Sequence, residues 1–187
     1  IATRRGKLDE AATYFAQAEQ LLRSQYGAAH PLRLRALMNW ASAQLHGGNV
    51  KEALPKLEEG WKWLSSALGE DHPDAFKALN ALGAGYGLNE QYEAALPVFE
   101  RVLAGYKKTL GASHPRIGTA AGNLGEAEQR LGRYPEALVH FAEASAVYEK
   151  TGSPLRATTT LGEAEVLLAL NRADEALKRV ELSLAIC

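Results

Sequence analysis

His72 stands between Asp71 and Asp74 in the stretch LGEDHPDAF, residues 68–76. An imidazole beside two carboxylates is a set that can ligate a metal ion or pass protons. Two further sets are Glu126 with Glu128 and Glu163 with Glu165, each inside a Gly-Glu-Ala-Glu segment, and paired carboxylates can divide acid and base work. Both kinds of set also have plainer readings. Gly69 with His72-Pro73 recurs as Gly27 with His30-Pro31 and as Gly111 with His114-Pro115, at intervals of 42 residues. Ligands must converge to within about 2 to 2.5 Å of one ion, whereas copies spaced this way fall in separate loops. The histidine therefore reads as a capping or packing residue. Carboxylates two apart on a helix point to different sides, so one of each pair should face the groove or solvent and the other the repeat interface.

Other chemistry finds no footing. There is no Gly-rich phosphate loop, no His-Glu-x-x-His, no Gly-x-Ser-x-Gly and no Cys or His cluster at ligand spacing. Cys187 is the one cysteine, which rules out an internal disulfide and multi-cysteine zinc sites, and nothing marks it as an activated thiolate. The expectation is a non-enzymatic chain with no cofactor and no metal.

The elements that carry these residues are helical. The 187 residues are 47% hydrophobic and 23% charged, enough for a substantial core. No segment alternates cleanly, and Ala, Leu, Glu, Gln, Lys and Arg dominate. Leu34, Leu37, Trp40, Ala41 and Leu45 recur at steps of three and four after His30-Pro31, so Trp40 is expected in the core. Gly27, Gly69, Gly111 and Gly152 read as helix stops, and Pro31, Pro73, Pro115 and Pro154 as helix starts, with Asp71 or Asp74 helping to cap. Pro55 and Pro97 fall near the first turn of a following helix. In that second helix a small residue, a bulky one and usually another small one recur: Ala11, Phe15, Ala18; Ala53, Leu57, Gly60; Ala95, Phe99, Val102; Ala137, Phe141, Ala144; Ala176, Val180, Ser183. That pattern makes a close helix crossing, so each unit is an antiparallel helix pair that buries its other face on the next.

The turns Gly6-Lys7-Leu8-Asp9-Glu10-Ala11, Gly48-Asn49-Val50-Lys51-Glu52-Ala53, Gly132-Arg133-Tyr134-Pro135-Glu136-Ala137 and Asn171-Arg172-Ala173-Asp174-Glu175-Ala176 resemble the tetratricopeptide repeat (TPR). The 42-residue period and the Gly-x-x-His-Pro punctuation resemble its kinesin light chain type. That family's Leu-Asn-Asn-Leu-Ala in helix A is echoed by Leu37-Met38-Asn39-Trp40-Ala41, Leu79-Asn80-Ala81-Leu82-Gly83 and Ala121-Gly122-Asn123-Leu124-Gly125. HEAT and armadillo repeats share the period but not the turn. The resemblance implies an all-α, right-handed superhelical solenoid of antiparallel helix pairs: one array over 1–187, with a partial repeat at 1–29 and repeats at 30–71, 72–113, 114–152 and 153–187. Residues 1–6 read as the end of an earlier helix A. Two registers of Leu161–Leu170 fit the last repeat almost equally.

In the resembled family the A helices line a concave face that holds peptides or partner helices. Carrying over its groove positions singles out Arg35, Asn39, Ser42 and His46; Lys77, Asn80 and Ala84; and Thr119, Asn123, Glu126 and Arg130. Asn39 and Asn123 are the sharpest, because a carboxamide can grip an extended backbone as donor and acceptor. Arg4, Arg35, Lys77, Arg130 and His46 tilt the groove positive, favouring a protein or peptide ligand with carboxylates. Trp61 and Trp63 cannot both point inward, so one is expected to be exposed, either covering a neighbouring repeat or anchoring a partner.

The function implied is a protein-binding scaffold or adaptor. The alternative is a regulatory or sensor arm of a larger signalling protein, a kinase or NTPase. A net charge of −1 gives no general pull toward nucleic acid. No apolar run approaches the roughly 18 residues of a membrane span. The cysteine usage suits a cytoplasmic compartment. The chain opens on Ile1 with no leader and reads as a piece of a longer protein, and its end repeats offer apolar faces for self-association.

Overall fold

A computed structural model describes residues 2–27 and 30–186. Among these lie nine α-helices and no strand: α1 (Ala2–Tyr26), α2 (Pro31–Gly47), α3 (Val50–Leu68), α4 (Pro73–Leu88), α5 (Tyr92–Leu110), α6 (Pro115–Arg130), α7 (Tyr134–Thr151), α8 (Leu155–Ala169) and α9 (Ala173–Ile186). The helices gather into two compact units, α1 to α4 up to Gln91 and α5 to α9 from Tyr92. Within each unit, helices adjacent in sequence pack against each other, as an array of helix pairs requires.

The Gly-x-x-His-Pro segments work as punctuation. Gly27, Gly69, Gly111 and Gly152 all take positive φ, 86, 89, 78 and 63°, where a Cβ would be strained. Pro31, Pro73 and Pro115 open their helices at a position whose amide has no intrahelical partner. The N-cap is the histidine itself. Nδ1 of His30, His72 and His114 accepts the amide of the residue two further on, at 3.3, 3.1 and 3.2 Å. The side-chain hydrogen bond of the cap is made by His72, as its place before the proline predicts, and its extended backbone puts Nδ1 over the first turn. Asp74 lies in that first turn, where negative charge is favoured, and also reaches Lys77.

The recurring small residues mark the tight crossings. Ala53, Ala95, Ala137 and Ala176 are fully buried, as are Leu57, Phe99 and Phe141 four residues after the first three. Close approach is needed on both sides of such a residue. A Cβ at Gly125 of α6 would stand 3.1 Å from the Phe141 ring, and one at Gly162 of α8 would stand 2.9 Å from its far edge. Phe141 therefore fills the gap between its own A helix and the next. In the first unit Leu57 and Leu54 play that part against Gly85 of α4.

Several expectations are corrected. α1 runs unbroken through Gly6, where a turn was expected. A few residues cannot hold a separate helix, and their amides find partners most simply by continuing the one that follows. Trp40 is only half-buried and lines a polar recess between α1 and α2 with Gln17, Gln20 and Gln44. Pro55 and Pro97 lie one turn deeper than expected, six residues into α3 and α5. Of the two registers left open for the last repeat, the chain takes the one 39 residues after the third, which is that of the repeat bounds 114–152 and 153–187. Asn171, at φ 59°, repeats the left-handed turn of Gly132 at 74°, and Leu170 repeats the cap of Leu131. In that register Glu163 matches Leu124, so the two Gly-Glu-Ala-Glu segments are not equivalent positions.

Candidate functional site

In the first unit α2 and α4 lie side by side, and α3 closes one end of the space between them. The result is a cleft of about 740 Å³. Arg35, Asn39 and Ser42 line it from α2 at helical spacing, with Leu34 and Met38 beneath. Asp74, Lys77, Ala78 and Ala81 line it from α4, and Trp63, Leu64 and Leu68 from α3. The floor is apolar and the rim carries a guanidinium, a carboxamide, a hydroxyl and an ammonium. Such a mixture suits a ligand that buries a side chain and is fixed by a few polar contacts.

The cleft holds Arg35, Asn39, Ser42 and Lys77 of the residues singled out from the sequence, but not His46, Asn80 or Ala84. His46 is exposed, and its Nδ1–H donates to the Ser42 carbonyl at 2.7 Å. Asn80 turns Oδ1 into a buried position without a hydrogen-bond partner. Thr119, Asn123, Glu126 and Arg130 lie on α6, in the second unit. The Thr119 hydroxyl is already engaged there, 3.2 Å from the Tyr148 hydroxyl and 3.3 Å from the Pro115 carbonyl. Burial pushes the Tyr148 phenol up, and the Thr119 contact offsets part of that rise. Asn123 is half-buried, and Glu126 and Arg130 are exposed. The side chain of Arg4 and Cys187 lie outside the described residues.

The cleft is less positive than its cations suggest. Lys77 is ion-paired with Asp74, which also lines it. Arg35 is exposed and makes no ion pair among the described residues. One free guanidinium thus dominates the rim. Asp74 was not among the groove residues expected, although its place three residues before Lys77 on one helix face is the signal that pairs them. Trp63 is the tryptophan that lines the cleft, and Leu68 is exposed at its mouth.

The buried charges lie elsewhere and are internally satisfied. Arg33 is almost fully buried and joins three helices, with Nε 2.6 Å from Glu19 of α1 and an Nη 2.7 Å from Glu59 of α3. Burial alone would lower the Arg33 guanidinium; hydrogen bonds to Glu59 and Glu19 outweigh it and hold it above its ordinary value. Burial likewise acts to raise Glu59, and Arg33 more than reverses that. Glu128 is buried 2.6 Å from Nδ1 of His140, and burial leaves its carboxyl raised despite that bond. Glu163 is buried between the Ser145 hydroxyl at 2.7 Å and Arg179 at 2.9 Å. Glu126 and Glu165 are exposed, so each Gly-Glu-Ala-Glu segment splits as helix geometry requires. These carboxylates knit helices together. Among the described residues no group of three or more His, Cys, Asp or Glu could hold a metal ion.

The architecture is that of an α-helical repeat protein built of helix pairs that pack in sequence order. Tetratricopeptide repeat models match residues 1–62, 36–108 and 116–187, and the chain belongs to the tetratricopeptide repeat family, whose members are generally protein-interaction scaffolds. Among solved structures, a Podosopora anserina putative kinesin light chain with nearly identical TPR-like repeats superposes with a TM-score of 0.82 at 27% identity, covering 98% of this chain and 88% of that one. BtubC (BKLC) from P. vanneervenii superposes at 0.84 with 16% identity, covering 98% and 74%. A Rap protein complexed with Competence and Sporulation Factor superposes at 0.76 with 16% identity, covering 98% and 51%. The last two show the fold alone. The all-α solenoid of helix pairs and its kinesin light chain-like character are thereby established. No curated protein sequence matches. No helix among the described residues is long and apolar enough to cross a membrane.

Proposed function

We propose that this chain is a non-enzymatic binding module whose α2–α4 cleft takes a peptide or partner segment carrying a carboxylate beside an apolar side chain. The observation that carries this reading is the pairing of an unpaired Arg35 with an apolar floor of Leu34, Met38, Trp63 and Leu64 in one cleft. Guanidinium pairs with carboxylate through two parallel hydrogen bonds, and Asn39 at the next turn can hold the ligand backbone. The Rap neighbour complexed with a factor supports the use of this fold to hold a ligand. The module serves as a scaffold or adaptor in the cytoplasm, or as the regulatory arm of a larger signalling protein. A catalytic domain in the full-length gene would separate these two roles.

The test is a random peptide library selected on the chain, with the enriched peptides then titrated against variants. Arg35→Glu should weaken binding at least tenfold, as loss of a charge-assisted pair of about 1.5–3 kcal/mol requires, with an unchanged circular dichroism melt. Asn39→Ala should weaken binding less. Asn123→Ala reports whether α6 takes part. Equal binding by Arg35→Glu and Asn39→Ala would remove the cleft as the site.

A further inference from the structure

Trp40 stands where the 42-residue register places Leu82 and Leu124 in the next two A helices, and both of those leucines are buried. On the B helix that faces it, Ala12 stands where Leu54, Leu96 and Leu138 recur. Those leucines fill their junctions. Leu54 comes within 2.9 Å of a Cβ built on Gly85, Leu96 is buried, and Leu138 packs in the clusters of Val166 and Leu167. At α1–α2 a methyl group replaces the leucine of one wall and an indole replaces that of the other. The exchange leaves a recess of about 380 Å³ with Trp40 half-buried in its wall.

This recess is not a surface on which repeats stack. Ala11, Phe15 and Ala18, which correspond to Ala53, Leu57 and Gly60, lie on the opposite side of α1 from Asp9, Thr13, Ala16 and Gln20. Nor does it join the cleft. Trp40 and Gln44 face away from the α2 stripe of Arg35, Asn39 and Ser42.

Its chemistry favours a cation. Asp9 supplies the one charge among the described residues that line it. The Asp9 Oδ1 lies 3.9 Å from a Cβ built on Gly47, the last residue of α2. A carboxylate there adds to the negative end of the helix dipole, where positive charge is stabilised. Asp9 makes no ion pair among the described residues. The Thr13 hydroxyl is engaged with the Asp9 backbone carbonyl at 2.9 Å, and Gln44 accepts from Asn49 at 2.7 Å. The carboxamides of Gln17 and Gln20 and the Trp40 indole N–H have no hydrogen-bond partner among the described residues. An indole also attracts cations to its ring face. A planar guanidinium can stack on an indole while its N–H fork meets carboxylate and carboxamide oxygens, a combination that a compact ammonium does not match.

We propose that the α1–α2 recess binds a guanidinium group, the side chain of an arginine on a partner protein, stacked on Trp40 and held by Asp9 and the amide oxygens of Gln17 and Gln20. The opposite faces of α2 then select opposite charges. The recess stands independently of what the cleft binds.

The probe is N-acetyl-arginine amide, titrated into the full chain while the indole N–H resonances are followed by nuclear magnetic resonance; Trp40→Phe identifies the Trp40 signal. That signal should move saturably, in the millimolar range expected of so small a ligand. The citrulline counterpart keeps the shape without the charge and should bind at least about fivefold more weakly, with the lysine counterpart between the two. Asp9→Asn should weaken the arginine probe about threefold, since Asp9 is exposed. Ala12→Leu restores the leucine of the other junctions, and Ala16→Leu fills the recess from an exposed position that the fold tolerates. Either should abolish the shift. Arginine binding that survives Ala16→Leu, or no shift of the Trp40 signal, would overturn the site. Equal binding of the citrulline or lysine counterpart, or tighter binding of methyl glucoside, would overturn its guanidinium specificity.

Discussion

Helix α6 carries three glycines at successive turns, and the surroundings of each assign a sign to its replacement by alanine. In a helix interior Ala is favoured over Gly by about 1 kcal/mol. At Gly122 the added Cβ would sit 3.5 Å from Thr159 and 3.9 Å from Ala144, ordinary contact, so Gly122→Ala should retain that gain of about 1 kcal/mol. This corresponds to a midpoint rise of roughly 2 to 4 °C. At Gly125 the Cβ would lie 3.1 Å from two Phe141 ring atoms and 3.2 Å from the Ala137 carbonyl oxygen. Neither can retreat, because the carbonyl is backbone and the far side of the ring is against Gly162. Overpacking of a core costs about 1 to 3 kcal/mol, and a trapped ring places this site in the upper half, so Gly125→Ala should lose about 1 to 2 kcal/mol net. Gly118 resembles it: the Cβ would stand 2.8 Å from Tyr148, a buried ring tied by its hydroxyl to Thr119. Thermal and urea melts of the three single variants, with Phe141→Leu added to Gly125→Ala, are the assay. The smaller side chain should recover at least about 0.5 kcal/mol of coupling. A midpoint raised by Gly125→Ala, or lowered by Gly122→Ala, would show that close approach does not govern this interface.

Three further outcomes follow from the caps and the buried charges. His72→Ala should cost about 1 kcal/mol by removing the acceptor for the Asp74 amide, and His72→Asn should restore most of it, read as paired melts. Glu59 is held below its ordinary value by Arg33, so its contribution is present above the usual carboxylate range and is lost as pH falls through its folded value. The advantage of the wild-type chain over Glu59→Gln should therefore shrink in melts taken at acid pH. Glu128 has the opposite sign: burial raises it, and the stability that protonation confers is lost as pH rises through the folded value. Glu128→Gln can still accept from His140, so it should match or exceed the wild-type melting point at neutral pH. That margin should disappear as pH falls into the glutamate range.

The helix boundaries were legible because their signals are local. A glycine that must turn left-handed, a cap and a proline lie within five residues of one another, and their 42-residue recurrence identified them without any knowledge of packing. The small-residue ladder was legible for a related reason, since Ala53, Ala95, Ala137 and Ala176 face one crossing repeated along the chain. Arg33 was not legible. A lone arginine in a helix resembles surface charge, and its burial depends on Glu19 and Glu59, which lie 14 and 26 residues away and belong to no repeat. The register of the last repeat was ambiguous because two Gly-Glu-Ala-Glu segments suggested one alignment and the Asn171 turn another. Turn geometry decided it, because helix length between stops is fixed by the backbone and not by which residues look alike. For the cleft, helical spacing put Arg35, Asn39 and Ser42 on one stripe. The exclusion of Asn80 depends on how α4 is rotated, which the sequence of α4 alone does not encode.

The placement of Phe141 bears on how the second unit comes apart. Its ring meets its own A helix at Gly125 and the following one at Gly162, so neither helix can be released without exposing the same side chain. The free energy of that one residue is therefore shared between two repeats, and a break anywhere along α6 to α8 draws in its neighbour. In an array whose elements touch only those beside them, such shared residues set the length over which unfolding is cooperative. Melting of the second unit should then spare the α6–α8 centre until last.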